Sequence, residues 1–150
     1  APGIDADYYR AYIGDADVKV IFGQTYELLS HADAALVTSG TATLETALFR
    51  VPQVVCYHTP IGRVIAFLKR HILKVKYISL VNLIAGPEVP ELVADTMTVA
   101  QIKTELGRIL NDEGWRREML AGYDEVSKRL GEPGAPAKAA RLIRSLLVKG

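Results

Sequence analysis

Two runs of residues constrain the fold of this chain more than any other feature: Ala34-Ala35-Leu36-Val37-Thr38 and Pro52-Gln53-Val54-Val55-Cys56-Tyr57. Both are short and apolar, and neither keeps the apolar/polar alternation of a strand with one face in water. Such strands are buried on both faces, as happens when helices cover a parallel sheet from each side. Helical spacing lies between and around them. Thr25 to Ala32 sets Leu28, Leu29 and Ala32 on one face, Thr43 to Arg50 reads as a helix, and Pro60 opens a longer helix reaching about Lys74. Val18-Lys19-Val20-Ile21-Phe22, closed by Gly23, and Lys76-Tyr77-Ile78-Ser79-Leu80 read as two further strands. The expected class is therefore α/β, a doubly wound parallel sheet. From about residue 98 to 150 the pattern is a helical carboxy-terminal tail: Val99 to Asn111, Gly114 to Leu130 and Ala135 to Val148, with a break at Gly131-Glu132-Pro133-Gly134. Four strands is small for such a sheet, so the chain is expected to begin partway into its domain.

Composition narrows the functions available. With 150 residues, 49% of them hydrophobic, there is material for one domain with a substantial core. A net charge of +1 leaves no general cationic surplus for displacing counterions, so no nucleic-acid partner is expected. Cys56 is the lone cysteine, which excludes an intrachain disulfide and suits a reducing compartment. Ala1 to Arg10 carries acids and tyrosines where a signal peptide needs a basic start and an apolar core. No apolar run approaches the roughly 20 residues of a membrane span. The expectation is a cytoplasmic chain, soluble or peripheral to a membrane.

In an open parallel sheet, ligands bind beyond the carboxyl ends of strands, where helix amino termini point. Ser39-Gly40-Thr41 occupies that place. Gly40 permits close backbone approach, the two hydroxyls can donate, and the unpaired N–H groups of the following helix attract anionic oxygen. Glu45, about one turn later, suits two sugar hydroxyls better than a phosphate. Spacing alone leaves the other reading open, in which Ser39 and Thr41 cap the helix and Glu45 is an ordinary first-turn acid. The loop ending at Gln24 can present backbone groups to a base edge with Tyr26 beside it, or be a plain connection. Asn82, flanked by apolar residues, can serve a ligand or a turn. From Thr46 to Pro87 there is no Asp or Glu, whereas Arg50, Arg63, Lys69, Arg70, Lys74 and Lys76 fall inside. The segment holding Arg63, Phe67, Lys69, Arg70 and Lys74 can lie on an anionic membrane or form a crossover helix with solvated cations. His31, His58 and His71 have no metal-ligand spacing, and the glycine loops of P-loop and dinucleotide-binding proteins are absent.

Three blocks, Ser-Gly-Thr-Ala-Thr-Leu-Glu at 39–45, Pro-Gln-Val-Val-Cys-Tyr at 52–57 and Val-Lys-Tyr-Ile-Ser-Leu-Val-Asn-Leu-Ile-Ala-Gly at 75–86, together resemble the carboxy-terminal half of lipid-A-disaccharide synthase. The resemblance runs from about Lys19 to the end. It implies the Rossmann-like half of a GT-B fold in an inverting glycosyltransferase that joins UDP-2,3-diacylglucosamine to 2,3-diacylglucosamine 1-phosphate, with neither metal nor organic cofactor. It makes Ser39, Gly40 and Thr41 diphosphate contacts, Glu45 the ribose acceptor and Asn82 a donor-side contact. It also gives the basic apolar segment a reason, because both substrates are acylated and sit at the inner face of the cytoplasmic membrane.

Residues 1–150 are thus expected to form a partial carboxy-terminal UDP-sugar-binding domain that lacks the amino-terminal acceptor half-domain. No catalytic residue is expected here; the implied base, which deprotonates the acceptor 6-hydroxyl, lies in the other half. Two departures stand out: the family's opening strand into Pro-Gly-Ser-Arg is missing, and Gly86 to Glu91 is one residue shorter than the family pattern. Another GT-B transferase, a UDP-sugar epimerase domain, or a nucleotide-binding module without chemistry would use the same phosphate and ribose devices.

Overall fold

The computed structural model describes residues 4–38, 40–57, 77–86, 89–93 and 96–147. Their elements are α1 (Ala6–Ile13), α2 (Thr25–Ser30), β1 (Ala35–Val37), α3 (Thr41–Leu48), β2 (Gln53–Tyr57), α4 (Leu80–Ala85), β3 (Glu91–Val93), α5 (Val99–Asn111), α6 (Glu113–Leu130) and α7 (Ala135–Leu147). The strands form a parallel sheet in the order β1-β2-β3, with Ala35 opposite Gln53 and Val55 opposite Glu91.

Central strand β2 shows the double covering that its composition implied. Val54 and Val55 are both fully buried, and successive strand residues face opposite sides, so apolar material covers both faces. α3 packs on β1 and β2, α5 on β2, and α6 spans α3, α4 and α5. Met119, Tyr123 and Val126 line one face of α6 at helical spacing and join Val54, Val55, Val81 and Ile109 in one core. Local signals stop and start the helices where the sequence suggested. Thr98 caps α5 by accepting the Gln101 N–H, Asp112 caps α6 by accepting that of Trp115, and Gly131, at φ 75°, ends α6.

Two expected strands are absent. Val18 to Phe22 is irregular and exposed. Among the described residues no neighbouring strand pairs with it, and β-branched composition alone does not hold a strand without a ladder. Tyr77 and Ile78 likewise form no strand, and Leu80 begins α4; Lys76 lies outside the described residues. Here the cause is visible. The Glu91 carboxylate accepts the Ile78 and Ser79 N–H groups at 2.9 and 3.0 Å, and Ser79 caps α4 by accepting the Asn82 N–H. The donors a ladder would use are bonded to a side chain instead. The third strand is instead Glu91–Val93, and a further helix, α1, precedes the Val18 to Phe22 segment. The expected helix from Pro60 to about Lys74 falls outside the described residues.

The tail helices form at the expected places, but α7 buries none of its residues, and Leu142, Ile143, Leu146 and Leu147 are exposed. Among the described residues no helix is long and apolar enough to cross a membrane.

Candidate functional site

The turn after β1 leads directly into α3. Gly40 is its N-cap residue at φ 89°, a conformation that strains any side chain, and a Cβ built there would meet no described residue within 4 Å. Among the described residues no side chain caps α3 at Gly40; instead the Thr43 hydroxyl and N–H both donate back to the Gly40 carbonyl, at 2.8 and 3.2 Å. The capping role that spacing allowed to Thr41 is therefore not used, and Thr41 is exposed at the first helical position. Ser39 lies outside the described residues.

Glu45 stands half-buried one turn into α3. The Tyr26 hydroxyl donates to its Oε1 at 3.3 Å, and the Tyr26 ring stacks on Phe49 with centroids 5.3 Å apart. These contacts join α2 to α3. Gly23, Gln24, Thr25, Tyr26, Glu27 and Glu45 line one open cleft of about 480 Å³. Two segments some twenty residues apart in sequence, the Gln24 loop with the start of α2 and Glu45 of α3, thus share a concave surface. The direct bond from Tyr26 to Glu45 was not anticipated, because only the tertiary arrangement brings α2 against α3.

Asn82 is elsewhere, inside the protein. It is 2% exposed, its Nδ2 donates to the Val89 carbonyl at 2.9 Å and to Glu91 at 2.8 Å, and its Oδ1 accepts the Val89 N–H at 3.0 Å. Its amide is engaged on both sides in joining α4 to the chain that enters β3. Arg63, Phe67, Lys69, Arg70 and Lys74 lie outside the described residues.

Polar groups beneath the site were missed by sequence reasoning. Gln53, in a run read as apolar, is fully buried; its Nε2 donates to the Thr43 carbonyl at 2.9 Å and to the Tyr123 hydroxyl at 3.3 Å. Burial raises the Tyr123 phenol well above its ordinary value, against the opposing pull of its hydrogen bonds with Gln53. Burial also pushes the Cys56 thiol up, which disfavours the thiolate a nucleophile requires. Among the described residues no group of three His, Cys, Asp or Glu side chains could hold a metal ion.

A parallel sheet whose neighbouring strands β1 and β2 are joined by a crossover helix, with an open cleft beside Glu45 of that helix, defines an α/β protein of Rossmann-like type. Comparison with known proteins narrows this. The sequence profile described as lipid-A-disaccharide synthetase matches residues 9–139. A lipid-A-disaccharide synthase of Myxococcus xanthus (strain DK1622) is 39% identical over 100% of this chain and 39% of its own length. Those of Solibacter usitatus (strain Ellin6076) and Syntrophus aciditrophicus (strain SB) are each 35% identical, over 93% and 97% of this chain and 37% and 39% of their own lengths. The chain belongs to the lipid-A-disaccharide synthase family of glycosyltransferases. It spans about two fifths of the length of the curated relatives it matches.

Proposed function

We propose that this chain is the donor-binding, carboxy-terminal part of an inverting lipid-A-disaccharide synthase, with a UDP-acylglucosamine as donor and an acylated glucosamine 1-phosphate as acceptor. The observation that carries this is the cleft where Glu45 and the Gln24 loop meet, Glu45 standing about one helical turn beyond the Gly40 and Thr41 amides. The α3 amides at Gly40 and Thr41 take the diphosphate, helped by the Ser39 hydroxyl on sequence grounds. Glu45 accepts hydrogen bonds from the ribose hydroxyls, and its bond from Tyr26 keeps the carboxylate turned to the cleft. Backbone groups around Gln24 face the base.

The chemistry is direct displacement. The acceptor hydroxyl attacks the anomeric carbon, the bond from that carbon to the diphosphate oxygen breaks, and UDP leaves with the electron pair. Charge then grows on the diphosphate, where the helix-terminus N–H groups are already oriented, so this half stabilises the leaving group. The base is assigned to the amino-terminal acceptor half of the full-length enzyme. Asn82, with its amide engaged by Val89 and Glu91, serves as a clamp that ties α4 to the chain entering β3 rather than as a ligand contact. Arg63, Phe67, Lys69, Arg70 and Lys74 form the membrane-facing segment, which puts the enzyme peripherally at the inner face of the cytoplasmic membrane beside its acylated substrates.

The test is steady-state kinetics of the full-length enzyme with donor and acceptor varied separately. Glu45→Gln weakens two charge-assisted hydrogen bonds and raises donor KM about tenfold or more, leaving acceptor KM unchanged. An unchanged donor KM together with unchanged inhibition by UDP would overturn the assignment.

A further inference from the structure

A buried polar chain runs from α6 to the donor turn. The Tyr123 hydroxyl on α6 accepts from Gln53 Nε2 at 3.3 Å, and the same nitrogen donates to the Thr43 carbonyl at 2.9 Å. The Thr43 hydroxyl donates in turn to the Gly40 carbonyl at 2.8 Å. Thr43, Gln53 and Tyr123 are all buried. Gln53 opens β2 opposite Ala35, so the chain also ties the turn to the sheet ladder.

Packing does not account for this glutamine. Its Oε1 is buried with no hydrogen-bond partner among the described residues. A methionine of similar volume would fill the space without an orphaned acceptor, whose burial is unfavourable by about 1–3 kcal/mol. What Gln53 does that methionine cannot is donate to Thr43. α3 needs such support because no described side chain caps it at Gly40, so its first turn is held from behind. The opposite end of α3 is held by the same helix, through the ion pair of Arg50 with Asp124 next to Tyr123.

We propose that Gln53 and Tyr123 are positioning residues for the diphosphate: they hold the first turn of α3, and with it the Gly40 and Thr41 amides, in the orientation that receives the leaving group. The inference rests on the reading of Gly40 to Glu45 as the donor turn. A residue that only stabilises the fold lowers the active fraction, and so kcat, and leaves both KM values where they were. A positioning residue changes donor KM selectively.

The experiment uses the full-length enzyme with Gln53→Met, Tyr123→Phe, Gln53→Glu and Glu45→Gln. Gln53→Met is expected to raise donor KM about three- to tenfold, the range of one net hydrogen bond, with acceptor KM unchanged; Tyr123→Phe gives a smaller change in the same direction. In Gln53→Glu a neutral carboxyl can donate to Thr43 and a carboxylate cannot. Its donor KM should therefore fall toward the wild-type value as pH is lowered, while the wild type shows no such trend. If Gln53→Met does not fold, Tyr123→Phe and the pH dependence of Gln53→Glu decide. A raised donor KM in Glu45→Gln with wild-type donor KM in the Gln53 and Tyr123 variants overturns the positioning role alone. Wild-type donor KM in all four overturns the donor-turn reading and this inference with it.

Discussion

Replacing Asn82 with alanine separates a clamp from a ligand contact. The substitution removes an acceptor from the Val89 N–H and a donor each from the Val89 carbonyl and the Glu91 carboxylate, bonds of 3.0, 2.9 and 2.8 Å. Glu91 keeps its bonds from Ile78, Ser79 N–H and the Ser79 hydroxyl, so its loss is partial. Val89 is buried and is left with the larger penalty. An unsatisfied buried amide is unfavourable by about 1–3 kcal/mol, and with the other two bonds, which do not add fully, the local destabilisation comes to about 3 kcal/mol. At about 1.4 kcal/mol per decade this makes local opening roughly a hundredfold more frequent. Hydrogen–deuterium exchange of the full-length protein reads it directly: the peptide containing Val89 should lose about two decades of protection, while peptides of α6 change far less. Donor KM in the same variant should move little in comparison. Unchanged protection at Val89 with a large rise in donor KM would show that the amide serves the ligand, and the clamp would be refuted.

Two further outcomes follow from the site. Gly40→Ala introduces a Cβ at φ 89° that meets no described residue within 4 Å, so its penalty is backbone strain of about 1–2 kcal/mol; thermal unfolding should record a lower midpoint, and isothermal titration weaker UDP binding. Tyr123 titrates above its ordinary value because burial disfavours the phenolate, so the stability it contributes is complete below the unfolded pKa of about 10 and is lost as pH rises toward the folded value. Denaturant unfolding between about pH 9 and 11.5 should show stability falling, and Tyr123→Phe should flatten that fall; an identical slope in both proteins would count against burial as the cause.

The parts of the fold legible in sequence are those set by local period. Ala34 to Thr38 and Pro52 to Tyr57 read as strands because continuous apolar residues need covering on both faces, and β1 and β2 fall inside these runs. The tail helices read correctly because Thr98, Asp112 and Gly131 act on backbone groups within a turn of themselves. Non-local pairing explains the errors. Val18 to Phe22 has strand composition, yet a strand exists only with a partner. Tyr77 to Leu80 has it too, but a carboxylate from residue 91 takes the backbone donors. Glu91–Val93 is three residues long beside Pro90, too short for alternation to show, and its identity as a strand comes from its register with Val55 to Tyr57.

The same division runs through the candidate site. By itself the sequence determined that a glycine-containing turn precedes α3 and that Glu45 follows one turn later, since both are matters of spacing along one helix. The tertiary structure decided which polar side chains look outward and which inward. Glu45 meets Tyr26 across 19 residues at an open cleft, whereas Gln53 meets Tyr123 across 70 and Asn82 meets Glu91 across 9, within or beside the core. An amide has the same hydrogen-bonding capacity in either place. Whether it is available to a ligand depends on what the folded chain sets against it, and no local pattern carries that information.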